Sequence, residues 1–159
     1  MACRHGAGRH ILNKINGNTH DTGYKKPTTA DPNMNEILAP ISLGELIDKI
    51  TILQIKKANL EGQALINVER ELAQLTAILN KLSLNLDQTT FDKLRAVNQD
   101  LWDIEDAIRC LEKAKNFGPD FIQLARSVYK TNDLRSTIKK EINAKYNSAI
   151  VEEKSYKEY

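Results

Sequence analysis

Apolar residues recur at steps of three and four in four separate stretches of this chain, the spacing that lines one face of an α-helix. In the first stretch Leu43, Leu46, Ile50 and Leu53 keep the rhythm, and Lys57 and Leu60 continue its line. Ser42 and Glu45 open it as an S-x-x-E capping box, with Ile41 placed to pack on Leu46, and Gly62 closes it as a C-terminal glycine. A second stretch, beginning near Gln63, carries Leu65, Val68, Leu72, Leu75, Leu79 and Leu82, an unbroken heptad seam. After "LNLDQTT", with Thr89 and Thr90 as candidate caps, the third stretch carries Leu94, Val97, Leu101, Ile104, Ile108 and Leu111. "NFGPD" stops it, because Gly118 permits a left-handed turn and Pro119 suits the first turn of a helix. The fourth stretch runs from about Pro119 to Lys145 through Phe121, Leu124, Val128, Thr131, Arg135, Ile138 and Ile142.

This pattern predicts an all-α protein, an antiparallel bundle of four long helices arranged as two helical hairpins, since the connections at Gly62 and Gly118 are short. Ile52 and Ile55 lie off the first helix's main stripe, so that helix is expected to be covered on two sides. A partner chain would supply the second cover, which makes a homodimer the expected assembly. The chain divides into a tail at 1–33, the bundle at 34–147 and a C-terminal tail at 148–159, where Tyr156 or Tyr159 either frays or docks back. The first 33 residues scatter Gly, Asn, Thr and Pro with no apolar period, the signature of a disordered segment or of an extension upstream of a natural start at Met34.

Composition narrows the classes of function. Residues 1–33 carry five of the 23 Lys and Arg but only two of the 21 acids, which leaves the body within one charge of neutrality and without the basic face of a nucleic-acid binder. No apolar run reaches membrane-spanning length, and two cysteines, Cys3 and Cys110, make no disulfide framework. A cytoplasmic protein is the expectation. Cys3, His5, His10 and His20 sketch a metal cluster in the tail, a scatter that ordinarily binds nothing specific, and no metal or other cofactor is expected. The body has no histidine, hence lacks the commonest general base, and no dinucleotide, P-loop or zinc-protease motif occurs. Cys110 sits within a helical pattern, where a lone cysteine is ordinarily inert packing.

The chemistry that remains is polar and lies between helices. Asn98, Trp102, Glu105 and Arg109 recur at steps of four, three and four and share one face of the third helix. Asn132, Arg135 and Lys139 lie on the fourth, where Asn132-Asp133 marks a bend or turns its side chains toward the polar line. An antiparallel hairpin about Gly118 brings Glu105 and Arg109 level with Arg135, so a Glu105–Arg135 ion pair beside Trp102 is expected. One reading of this line is structural, a set of buried polar groups that fixes helix register. The other is an anion-binding pocket, with Arg109 and Arg135 clamping a carboxylate or phosphate and Trp102 as its wall. Trp102 by itself reads as an amphipathic residue at the edge of the core.

Long motifs carry a resemblance. "ISLGELIDKITILQIKK", "NVERELAQL", "LRAVNQDLWDIEDAIR", "FGPDFIQLARSVYKTNDLR", "KKEIN" and "VEEKSY" together resemble a small bacterial, cyanobacterial and cyanophage-type family of unknown function, from about residue 38 to 157. The family has no assigned activity or ligand, so the resemblance transfers no site residues, and it leaves out residues 1–33. The chain is also similar in kind to all-α chorismate mutases, which bind a dicarboxylate between helices and work by electrostatic positioning. No motif is shared, and the comparison shows only that a bundle without histidine is not thereby inert. The sequence as a whole favours an oligomerisation or protein-interaction module, with self-association or a protein partner and no chemistry of its own. A binder of an anionic small molecule, or a histidine-free enzyme, using the polar line is the alternative.

Overall fold

Four helices form where the spacing predicts them in the computed structural model, which describes residues 37–155: α1 (Leu43–Asn59), α2 (Gly62–Lys81), α3 (Gln88–Lys113) and α4 (Pro119–Lys145). They and the segments that join them belong to one compact unit that begins at Pro40. The tail at 1–33, with Cys3, His5, His10 and His20, lies outside the described residues, as do Tyr156 and Tyr159.

Each helix end has a local cause, and some differ from expectation. The Ser42 hydroxyl accepts the Glu45 amide at 3.1 Å, which caps α1 as the motif implies. The third helix is capped by Asp87 rather than by a threonine, its carboxylate accepting the Thr89 amide at 3.0 Å. Gly118 caps α4 with φ −71, and the left-handed residue of that turn is Lys115, φ 55. α1 stops at Asn59, and Gly62, φ 60, sits at the start of α2 instead of closing the helix before it. Asn147, φ 51, turns the chain after α4, and the Ser148 amide bonds back to the Asn143 carbonyl at 2.9 Å.

α1 packs against α2, α3 and α4, and α3 packs against α4, whereas the backbone of α2 approaches only α1. α1 is therefore the central strut of the bundle. Nine of its 17 residues are buried, including Ile55, so its own chain covers that second side at Ile55, while Ile52 stays half-buried. Leu43 and Ile47 of α1, Leu94 and Val97 of α3, and Ile138 and Ile142 of α4 make one apolar cluster, with Leu79, Leu86, Phe91 and Tyr146 packed around it. Each fully buried Leu, Ile or Val there contributes up to about 1.5–3 kcal/mol. Lys57, which interrupts the α1 stripe, reaches solvent beside Glu69 at 3.0 Å.

Two contacts set how closely the helices approach. At Gly44 a Cβ would lie 2.6 Å from the Lys139 carbonyl oxygen, so glycine lets α1 press on the backbone of α4, and the Gly44 amide donates to Asn143 Oδ1 at 2.7 Å. At the end of α4, Lys145 pairs with Asp87 at 2.9 Å, and the Tyr146 hydroxyl accepts the Asp87 amide at 2.8 Å, which joins the end of α4 to the start of α3. Gly44→Ala is expected to destabilise the protein by about 1–3 kcal/mol through this overpacking, although alanine is the better helix former by about 1 kcal/mol. Urea titration followed by circular dichroism reads the sign, and a gain in stability would refute the close approach.

Candidate functional site

A carboxylate on the buried side of α1 organises the polar interior. Asp48 and Thr51 are three residues apart and so share a helix face, and neither has exposed surface. The Asp48 carboxylate receives Arg135 of α4 through two nitrogens, Nε at 2.9 Å and Nη2 at 2.5 Å, and Asn98 Nδ2 of α3 at 2.8 Å. Asn98 Nδ2 also reaches Thr51 Oγ1 at 2.9 Å, and that hydroxyl donates to the Asp48 carbonyl at 2.8 Å. Three helices thus meet on one side chain. The bidentate bond to Asp48 raises the Arg135 pKa above its usual value against the opposing effect of burial.

One turn along α4, Lys139 forms a second node. Its side chain is 7% exposed, and Nζ lies 2.5 Å from Glu45 of α1 and 2.6 Å from Glu152. Burial works against the charged ammonium, but the bonds from Glu152 and Glu45 outweigh it and hold its pKa above the ordinary lysine value. Lys139 in turn holds the Glu152 carboxyl below its ordinary pKa. Glu152 arrives from the segment after α4, which folds back along the helix: Ser148 Oγ accepts the Leu43 amide at 3.2 Å, and Glu153 pairs with Lys140 at 3.2 Å.

Of the residues the sequence singled out, Asn98, Arg135 and Asn132 come together, the last accepting from Arg135 Nη1 at 3.4 Å. Glu105 and Arg109 do not join them. They pair with each other at 2.7 Å on an exposed face, so the expected Glu105–Arg135 pair does not form. Glu105 lies seven residues beyond Asn98, about 10 Å along the helix, and Asp48 already takes Arg135 at the level of Asn98. Trp102 is half-buried one turn on from Asn98, in keeping with an edge-of-core residue. Sequence reasoning missed Asp48, Thr51 and the Glu45–Lys139–Glu152 node. The signal for Asp48 was its place in "ELIDKITIL": a carboxylate beside Ile47 in a helix covered on more than one side has to be paired.

Chemically this arrangement is a clamp. Glu45, Asp48 and Glu152 are matched by Arg135 and Lys139, with Lys154 3.9 Å from Glu152. Among the described residues no group of three or more His, Cys, Asp or Glu side chains is placed to hold a metal ion, and no helix is long and apolar enough to cross a membrane.

Residues 37–159 match a family of unknown function, DUF6165, and the chain belongs to that family. No curated protein and no solved structure matches it.

Arg135→Met leaves the Asp48 carboxylate buried without its cation and is expected to cost about 3–5 kcal/mol. Asp48→Leu together with Arg135→Met should cost clearly less than Arg135→Met alone in the same chemical denaturation, and additive losses would refute the pairing. Acid acts on Glu152 and on Asp87, whose carboxyl is held down from 3.8 to about 2 by its bond to Lys145. Both carboxyls have folded pKa values below the unfolded ones, so their stabilisation is full above the ordinary carboxylate range and is lost as pH falls through the folded values. For Asp87 that window runs from pH 3.8 down to about 2. Lys145→Met should lower stability at pH 7, and its difference from wild type should shrink as pH falls from 3.8 to about 2, as read by urea titrations followed by circular dichroism at each pH.

Proposed function

We propose that this member of the family is a cytoplasmic self-associating helical module, in which α2 pairs with the α2 of a second copy. The observation that carries the reading is the outward face of α2. Of its apolar seam only Val68 is buried; Leu65, Leu72, Leu75 and Leu79 are half-buried against α1, and Leu82 is exposed. Beside them Ile66, Ala73 and Ala77 recur at steps of seven and four on the exposed side, with Ile66 51% exposed.

This face is almost free of charge. Residues 72–80 contain no charged side chain, and the flanking acids Glu69 and Glu71 are drawn toward Lys57 and Lys49 of α1. A second copy therefore meets an uncharged stretch at residues 72–80, with Arg70 the charge carried into an isologous interface in which one patch faces itself. Antiparallel pairing centred between Glu71 and Leu72 sets Ile66 opposite Ala77 and Arg70 opposite Ala73, a large side chain against a small one in each case. Self-association is preferred to anion binding along Asn98, Trp102, Glu105, Arg109, Asn132 and Arg135 because Asp48 occupies Arg135 and Glu105 occupies Arg109.

Light scattering on the full chain at roughly 50 µM, where a micromolar dimer is nearly saturated, should give about twice the 18.0 kDa chain mass. Ala73→Glu should return the mass to that of one chain with the helical spectrum unchanged. A wild-type protein of single-chain mass at that concentration overturns the reading.

A further inference from the structure

The segment after α4 has no regular structure, and it is held against the helix mainly through its carboxylates. Its apolar side chains do little to fix it, since Ile150 is 39% and Val151 52% exposed. Ser148 anchors its start, by accepting the Leu43 amide and donating to the Ile150 carbonyl at 2.9 Å. Beyond that anchor, consecutive Glu152 and Glu153 meet consecutive Lys139 and Lys140. The two lysines differ in kind. Lys140 is half-exposed, whereas Lys139 is sunk between helices with Glu45 fixed on one side of its ammonium and Glu152 on the other.

We propose that this segment is the resident occupant of a peptide-binding cradle, and that an acidic extended segment of a partner protein, with two adjacent carboxylates, displaces it. The cradle is preformed. Glu45 and Asp48 come from α1, and Arg135, Lys139 and Lys140 from α4, so every wall lies on a helix. Its three cations exceed its two carboxylates by one, and the segment Glu152-Glu153-Lys154 returns one net negative charge. A buried ammonium that loses Glu152 keeps only Glu45, and the vacated position strongly favours another carboxylate. The spacing selects a peptide over a single small anion, because the two lysines receive two charges set one residue apart. Replacement of one extended segment by another of like chemistry requires no movement of the helices. The inference concerns a surface of α1 and α4 and is independent of pairing through α2.

The test uses the full chain carrying Glu152→Gln and Glu153→Gln, and a fluorescent peptide of the sequence SAIVEEKS, read by anisotropy. The variant should bind the peptide at least about tenfold more tightly than wild type, whose own segment competes in place. The same peptide with both glutamates changed to glutamine should not bind, and added salt should weaken the complex. Equal affinity of variant and wild type, or no binding to a variant that keeps its helical spectrum, overturns the proposal. So does displacement of the peptide by free glutamate at equal carboxylate concentration. If the variant does not fold, NMR on wild type decides: excess peptide should move the backbone resonances of residues 150–155 toward random-coil values and leave those of α3 unchanged, and unmoved resonances at 150–155 overturn the proposal.

Discussion

Asp48 places a carboxylate at a position with no exposed surface, and the placement of α3 and α4 follows from the need to match it. Removing a carboxylate from water costs several kcal/mol unless hydrogen bonds and an opposite charge replace the lost solvent. Here the replacements come from two other helices, Asn98 on α3 and Arg135 on α4, and both must arrive together. Sliding either helix by one turn, about 5.4 Å, breaks those bonds, whereas a leucine seam tolerates a slip that brings one leucine to another's place. The apolar cluster thus supplies most of the stabilisation and the polar cluster selects a single register. Gly44 belongs to the same constraint, since the close contact with the Lys139 backbone keeps α1 within reach of α4.

The number of helices and nearly all of their bounds were legible because periodicity and turn residues are local properties. α4 was expected from about Pro119 to Lys145 and occupies that span, and the Ser42 cap lies where its motif placed it. Pairing across helices was less legible. Glu105 and Arg109 share a face of α3 with Asn98, yet only Asn98 joins the Asp48 cluster, because a face says nothing of which level along it meets a neighbouring helix. Asp48 could have been found from its setting among isoleucines, whereas Glu152 could not, since its role depends on a chain reversal after Asn147 that no periodic signal marks. Turn geometry misled at Gly118, where the left-handed residue is Lys115, three positions earlier.

The helices are unequal partners. α1 is covered by three neighbours of its own chain, which bury Ile55 and leave Ile52 half-buried. Apolar side chains are left exposed on α2, whose backbone approaches α1 alone, as Ile66 and Ile78, and on α4 as Ile122 and Leu134, and the proposed pairing draws on those of α2. The charged surface at the junction of α1, α4 and the C-terminal segment has a separate character, specific through paired charges rather than through apolar fit. The proposed pairing and the proposed cradle would use two unrelated chemistries on different helices.

The bond between Asp87 and the end of α4, through Lys145 and Tyr146, has a topological effect. α3 and α4 are already joined by the chain at Gly118, so this second tie turns the hairpin into a closed loop with neither terminus free to fray. α2 is tied only to α1, through the exposed pairs Lys57–Glu69 and Lys49–Glu71, and its backbone approaches no other helix. Thermal opening should therefore be graded, with α2 lifting away first while the ring of α3 and α4 stays shut, so the surface proposed for pairing would also be the most yielding part of the protein.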